Sequence, residues 1–304
     1  MQRKLIIGTR GSPLALYQAR LVQSLLPCQA EIKILKTSGD TIKGDLKTFG
    51  GKGLFTKELE EALLGERIDL AVHSMKDVPT LHQDGLGIGA VLERADPRDA
   101  FISNKAKTLL ELPQGAVVGS ASIRRRAQLA ALRPDIKFTL LRGNVGTRLE
   151  KLEQGEFDAT FLACAGLRRL GQEEAITEAI APELMLPAPA QGAIGIEIRQ
   201  SDKASAQAVG ALNHAPTQIA IMAERAFLRA LDGSCRTPIA ALAQMDEGNM
   251  YFRGEVLAKD GSLRLNCEKH LESASLQSAQ ELGLQLGGDI RRNIGERILW
   301  DEPR

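Results

Sequence analysis

The sequence predicts an α/β protein of more than one domain, and three observations carry that expectation. Strand-like and helix-like segments alternate through the first two thirds of the chain, the pattern of open parallel sheets covered by helices. The alternation restarts near Asp96-Pro97, and from Pro216 it gives way to a different arrangement of a long helix, a hairpin and a second helix. At 304 residues the chain also exceeds the size at which a single core usually keeps growing.

Taken in order, Leu5–Ile7 reads as a strand, and Ser12-Pro13 supplies an N-cap and a first-turn proline for a helix over Leu14–Leu26. Glu31–Thr37 alternates as a strand, Phe55–Leu64 has helical spacing, and Ile68–Val72 is a short buried strand closed by the turn-prone Asp77-Val78-Pro79. Between them Ser38–Gly53 is polar and glycine-rich, long enough for a mobile lid. In the second unit Ala116–Gly119, Lys137–Leu141 and Asp158–Ala163 read as strands, and Ile123–Leu132, Val145–Gln154 and Gly166–Leu170 as helices. Pro182, Pro187 and Pro189 mark a crossing segment before a further strand, Ala193–Ile198, as if the chain returned to its first sheet. The last part, a small α+β domain, has a helix over Thr217–Leu231, a hairpin around Asp260-Gly261 and a helix from Leu276 to Asn293.

Composition narrows the function. Thirty-nine basic residues against 38 acidic ones leave a formal charge of +1, so no general field draws a polyanion and any anion site must be local. Aromatic residues make up 4%, too few for a stacking platform, which argues against a nucleic-acid partner. No stretch approaches the ~18 continuous apolar residues of a membrane span, and Met1–Ile7 has no signal-peptide pattern behind it, so the expected location is the cytoplasm with no membrane partner. Cys28, Cys164, Cys235 and Cys267 have no zinc-ligand spacing, so no metal is expected and the thiols should be free.

The charge is lopsided in one place. Between Gly119 and Arg148 stand Arg124, Arg125, Arg126, Arg133, Lys137, Arg142 and Arg148 against one acid, Asp135. Ser120 and Ser122 precede one helix and Gly143-Asn144 another, so backbone N–H groups and guanidinium forks converge at two helix N-termini, and Arg10-Gly11-Ser12 repeats the device in the first unit. A single arginine pair would fit a solvated face; three repetitions at strand-to-helix turns point to a ligand with several carboxylates or phosphates. Nucleotide cradles are weak: Gly85-Leu86-Gly87-Ile88-Gly89 lacks the third glycine at the required distance, and no Gly-Lys pair is followed by Ser or Thr. Asp77 ends an apolar strand at what should be the carboxyl edge of a sheet, where open α/β proteins place ligands; shaping the turn before Pro79 is an equally good reading. His73 alone reads as a packed histidine rather than a base. Cys235 follows a glycine turn beside Arg236, a setting that favours thiolate.

These segments together resemble one family. Thr9-Arg10-Gly11-Ser12-Pro13-Leu14-Ala15-Leu16, Gly50-Gly51-Lys52-Gly53-Leu54-Phe55, His73-Ser74-Met75-Lys76-Asp77-Val78-Pro79, Arg142-Gly143-Asn144-Val145-Gly146-Thr147-Arg148 and the Cys235 loop occur in the order seen in hydroxymethylbilane synthases (porphobilinogen deaminases). The resemblance implies two domains like those of periplasmic binding proteins around a cleft plus a small α+β C-terminal domain. The expected boundaries are 1–93 with 193–212, 94–192, and 213–304. It implies a transferase that deaminates four porphobilinogen molecules and joins them head to tail on a dipyrromethane cofactor, then releases the tetrapyrrole by hydrolysis. By the same resemblance the cofactor is held covalently by Cys235, with Ser234 where the family commonly has glycine, and Asp77 is the catalytic carboxylate. Arg10, Ser12, Arg142, Arg148 and Arg169 would bind substrate carboxylates, Lys76, Ser122, Arg124, Arg125 and Asn144 the cofactor, and Lys52 and Phe55 would belong to the lid. The expected partner is the small molecule porphobilinogen, and the expected state a monomer. The rival reading is a non-catalytic binding protein for a small anion, which the same first two domains would suit.

Overall fold

The computed structural model describes residues 4–37, 56–233 and 237–294. In chain order these form β1 (Leu5–Thr9), α1 (Pro13–Leu25), β2 (Ala30–Ile34), α2 (Lys57–Leu64), β3 (Leu70–Ser74) and β4 (Leu86–Val91). Then come β5 (Asp99–Ser103), β6 (Val117–Gly119), α3 (Ile123–Leu132), β7 (Lys137–Thr139), α4 (Val145–Glu153), β8 (Ala159–Ala163), α5 (Cys164–Arg169) and β9 (Glu178–Ala179). The chain continues with β10 (Ile194–Arg199), α6 (Lys203–Gly210), α7 (Ala215–Ala230), β11 (Ile239–Asp246), β12 (Asn249–Leu257), β13 (Arg264–Leu271) and α8 (Leu276–Ile294).

Two compact units result, residues 1–94 with 193–218, and residues 95–192 with 219–304. In the first unit a five-stranded sheet has the order β2-β1-β3-β10-β4. β1 lies parallel to β2 and β3, but β10 runs antiparallel to both β3 and β4, so the sheet is mixed where a parallel one is expected from the alternation of elements. The reason is the return of the chain: β10 arrives from the proline-rich crossing segment and enters between two strands of the earlier sheet, as Ala193–Ile198 suggests. All six of its residues are buried. Helix α1 starts where its sequence says it should: Ser12 caps it by accepting from the Ala15 amide at 3.3 Å, and Pro13 needs no partner for a missing N–H. Its buried residues Ala19 and Val22 pack with Ile7, Leu70, Ile194 and Ile196 into the core.

The second unit holds two sheets. One is five-stranded, β7-β6-β8-β5-β9, with β6 parallel to β7 and β8 and β5 antiparallel to β8 and β9. Ser122 caps α3 and Asn144 caps α4, each accepting from the amide three residues on. The other sheet is the antiparallel meander β11-β12-β13, whose β12–β13 hairpin turns at Asp260-Gly261 as expected. Its own core gathers Phe227 from α7, Phe252 from β12 and Leu282 and Ile290 from α8. Phe227 and Phe252 meet edge to face with centroids 5.4 Å apart.

Helices α7 and α8 touch through small residues. A Cβ on Gly283 would meet the Ala223 carbonyl and stand 2.8 Å from the Ala226 Cβ, whereas one on Gly288 would have Arg292 Nη1 at 3.7 Å as its nearest neighbour. The two positions therefore separate helix propensity from packing. Gly283→Ala should lower stability by about 1–3 kcal/mol, the range for overpacking. Gly288→Ala should raise it by roughly 0.5–1 kcal/mol through backbone entropy alone. Urea midpoints followed by circular dichroism would read both signs, and stabilisation by Gly283→Ala would show that the two helices do not approach this closely.

Candidate functional site

Strands β1 and β3 run parallel and deliver their carboxyl ends side by side. After β1 come Arg10 and the α1 cap Ser12; after β3, Met75–Asp77 forms a single 3-10 turn that leaves Lys76 and Asp77 exposed. That turn is pinned from below, because the Met75 amide donates to the Ala193 carbonyl at 3.0 Å and the Met75 side chain is buried. Arg10, Ser12, Gln18, His73, Ser74 and Asp77 line one open depression. Gln18 Nε2 donates to Ser74 Oγ at 2.8 Å, which fixes the floor between the two carboxyl ends. An acid, a guanidinium and the N-terminus of a capped helix thus share one concavity at a sheet edge.

In the second unit the arginines gather around a residue that sequence reading missed. Asp99, at the start of β5, has no exposed surface, and its two oxygens accept from Arg124 Nη1 at 2.7 Å and from Arg125 Nη2 at 2.7 Å. Burial pushes its carboxyl up, and the charges and hydrogen bonds of Arg124 and Arg125 outweigh this and hold it well below the usual carboxylate range. Both arginines are themselves buried. Arg125 Nη1 also donates to the Phe161 carbonyl at 2.8 Å, and Arg124 Nη1 to the Leu186 carbonyl at 2.7 Å. Gln128, one turn further along α3, takes part as well: it accepts from Arg124 at 3.0 Å and donates to Glu255 of β12 at 2.5 Å. Gln191 Nε2 donates to Asp99 at 2.9 Å.

This cluster is not electrically balanced. Arg148, on the first turn of α4, is half-buried; burial first, and the neighbouring charge of Arg125 second, pull its pKa down to about 10. Among the described residues its guanidinium donates to the Gly143 carbonyl at 2.9 Å and meets no carboxylate. Arg124 Nε is buried without a hydrogen-bond partner among the described residues. Arg124, Arg125 and Arg148 therefore bring three cations against Asp99, since Glu255 is paired with Arg264. Positive charge at helix N-termini also opposes the helix dipole, and an anion is the natural complement.

The remaining sequence-derived residues fall as follows. Ser122 and Asn144 spend a side-chain oxygen on capping α3 and α4, with Arg142 half-buried just before the second cap. Arg169, at the end of α5, donates to the Gly192 carbonyl at 2.6 Å, beside the segment where the chain leaves the second unit. Cys235, Lys52 and Phe55 lie outside the described residues, as does the whole Ser38–Gly53 segment read as a lid. Among the other cysteines, burial raises the Cys164 thiol to about 11 and the Cys267 thiol to about 12. Besides Asp99, the sequence reading passed over Glu197, the buried acid of β10 that clasps His73. A single carboxylate in an apolar run was the available signal: Glu197 inside its strand, Asp99 at the head of one.

Comparison with known proteins gives two kinds of result. A family described as porphobilinogen deaminase, dipyromethane cofactor binding domain, matches residues 5–207, and one described as porphobilinogen deaminase, C-terminal domain, matches residues 218–292. Among solved structures, the chain is similar to a putative methionine-binding lipoprotein from Bacillus subtilis, at 15% identity over 69% of this chain and 90% of that one, with a TM-score of 0.42. It is also similar to an ABC transporter periplasmic substrate-binding protein from Coxiella burnetii, at 14% identity over 72% and 94% of the two chains, with a TM-score of 0.43. The assignment rests on the family matches, which between them take in all but the ends of the chain and residues 208–217. The chain belongs to the porphobilinogen deaminase family, transferases of tetrapyrrole biosynthesis that work with a dipyrromethane cofactor.

Proposed function

We propose that the two sites divide the family's reaction, Asp77 serving bond making and breaking and the arginine cluster holding carboxylates. The reaction deaminates four porphobilinogen molecules, joins them head to tail on the dipyrromethane primer and releases hydroxymethylbilane by hydrolysis. Bound through a thioether, which we assign to Cys235, the cofactor supplies a nucleophilic pyrrole carbon. Loss of ammonia from porphobilinogen leaves a cationic azafulvene, and Asp77, fixed on its turn beside Arg10 and Ser12, places an anion where that charge develops. Arg10 and the α1 N-terminus would meet a substrate carboxylate there.

The observation that carries the anion-holding half is the uncompensated charge around Arg124, Arg125 and Arg148, with one guanidinium N–H buried and unpaired. A carboxylate reaching them would remove both liabilities, which is the fit expected of a dipyrromethane bearing acetate and propionate groups. Ser122, Asn144 and Lys76 are assigned to the cofactor with Arg124 and Arg125, and Arg142, Arg148 and Arg169 to substrate carboxylates. The reading includes three domains, 1–93 with 193–212, 94–192 and 213–304, supported by the separate core around Phe227 and Phe252. It also includes a monomer working in the cytoplasm.

Three outcomes are expected. The mass of the denatured, purified protein should exceed that of the polypeptide by one dipyrromethane, and Cys235→Ala should remove the excess; active protein with the bare mass would overturn the attachment. Asp77→Asn should keep the added mass and lose about 10²-fold or more in kcat, the scale of a lost electrostatic stabiliser; a wild-type rate would show that the carboxylate is wrongly assigned.

Asp99→Asn should destabilise the fold by about 3–5 kcal/mol, because buried cations lose their partner. The sign with pH follows from a carboxyl held below its ordinary value. Its stabilisation is complete above the unfolded-state pKa and is lost as pH falls towards the folded one. The gap in urea midpoint between wild type and Asp99→Asn should accordingly be level at neutral pH and close in acid; a gap that widens in acid would contradict the ion pair.

A further inference from the structure

Strand β10 carries one acid in an otherwise apolar run, Ile194-Gly195-Ile196-Glu197-Ile198, and Glu197 is completely buried. A carboxylate in such a place needs donors. It has two: His73 Nε2 on β3 lies 3.1 Å from one oxygen, and His82 Nδ1, beyond the Asp77 turn, lies 3.3 Å from the other. Burial pushes the Glu197 carboxyl up, and the hydrogen bonds and charge of the two imidazoles outweigh this and bring it to about 2, so it is ionised at neutral pH.

An ionised carboxylate only accepts, so His73 Nε2 must carry a proton. In the neutral ring Nδ1 is then a bare lone pair. No described residue partners that nitrogen, and His73 lines the same depression as Asp77. The other charged groups that face it are few. The β1–α1 turn brings Arg10, the 3-10 turn brings Lys76 and Asp77, and β10 brings Glu197. Helix α1 offers Gln18, engaged with Ser74, and α2 turns Leu59, Ala62 and Leu63 inward.

We propose that His73 is the proton acceptor of the Asp77 site and that Glu197 is the residue that positions it by holding its Nε2–H tautomer. The inference rests on the assignment of Asp77 above. In each condensation the C–N bond of porphobilinogen breaks, its electron pair leaving on ammonia. The α-carbon of the acceptor pyrrole forms the new C–C bond, then sheds one proton to become aromatic again. Asp77 is the counter-charge while the cation exists, and His73, in the same depression, is the second group placed to receive that proton. His73 Nδ1 takes it, the imidazolium formed is stabilised by the buried Glu197, and the proton passes on to the departing ammonia, which leaves as ammonium. A base next to a carboxylate that fixes its tautomer is a familiar way to aim an imidazole.

The test uses the holoenzyme with 15N-labelled histidine. Long-range 1H–15N spectra of the wild type should show His73 with Nε2 protonated and Nδ1 bare, a measurement that needs no variant to fold. The opposite tautomer would overturn the proposal. In Glu197→Gln, where one oxygen must serve two histidines, that signature should mix or invert. At unchanged cofactor mass and unchanged KM, kcat should then fall about 10–100-fold. His73→Gln should lose a similar factor or more, together with the limb of the kcat–pH profile that reports its protonation. Wild-type kcat and profile in His73→Gln, alongside an inactive Asp77→Asn, would sink this inference while leaving the Asp77 assignment standing. An active Asp77→Asn would instead overturn the assignment beneath it.

Discussion

Asp99 is the charge on which the second unit depends. Two successive arginines on one helix point about 100° apart, and a single carboxylate engages both only because each of its oxygens takes a separate guanidinium. Moving α3 by one residue would break the arrangement, so its start must be fixed, and Ser122 fixes it by capping the helix two residues before Arg124. The first turn of α3 contains no acid. Cations placed there work against the helix dipole as well as against burial. What offsets those costs is a dense set of acceptors, the Phe161 and Leu186 carbonyls, Gln128 and Asp99 itself. With Arg148 beside them, the cations still outnumber Asp99 by two. A protein that bound nothing at this place would gain by replacing an arginine; one that binds polycarboxylates keeps the deficit as its affinity.

The first unit solves a different problem with similar parts. Arg10 also sits before a capped helix, but the buried carboxylate near it, Glu197, is held by imidazoles rather than guanidiniums. Guanidinium keeps its charge at any pH the cell offers, so Arg124 and Arg125 suit permanent holding of anions. Imidazole can give up or accept a proton near neutrality, so the Glu197 cluster suits proton traffic. Asp99 and Glu197 therefore serve opposite ends, one clamping charge and the other steering it.

How much of this could be read without coordinates follows from distance along the chain. Capped helices were legible because their signals are local: Ser12-Pro13, Ser122 and Gly143-Asn144 each begin a helix where expected. The return of Ala193–Ile198 to the first sheet was legible from the prolines before it. Strand β4 is not legible, since Gly85, Gly87 and Gly89 resemble a loop until the close approach of Gly89 to Ile198 and Val209 and of Gly87 to Gln200 is seen. Strands β5 and β11 and helix α6 were also passed over, and the mixed direction of both sheets depends on where the chain re-enters, which no local period reports. The partners of Asp99 lie 25 and 26 residues away and the His73–Glu197 pair spans 124, so spacing alone could not join them. What the five ordered motifs did supply was the family, because each is a short stretch whose residues act together.

Covalent attachment needs a thiolate, and the chain's cysteines differ in how readily they provide one. With pKa values raised to about 11 and about 12, Cys164 and Cys267 are protonated at neutral pH in all but about one molecule in ten thousand or fewer. Cys164 is buried beside Leu162 and Leu167, so reagent access is blocked there as well as ionisation, while the sulfur of the half-buried Cys267 packs close to Gly254 opposite Phe227. Burial therefore acts here as selectivity, silencing thiols that serve as small apolar side chains. A cysteine that follows a glycine turn and precedes an arginine escapes that suppression in sequence terms, and Cys235 alone of the four has that context. On the proposed assignment the arginine cluster and the attachment point are complementary: one would neutralise the carboxylates of a bound polypyrrole, and the other would prevent its loss between cycles of addition, when electrostatic attraction alone would be opposed by salt and water.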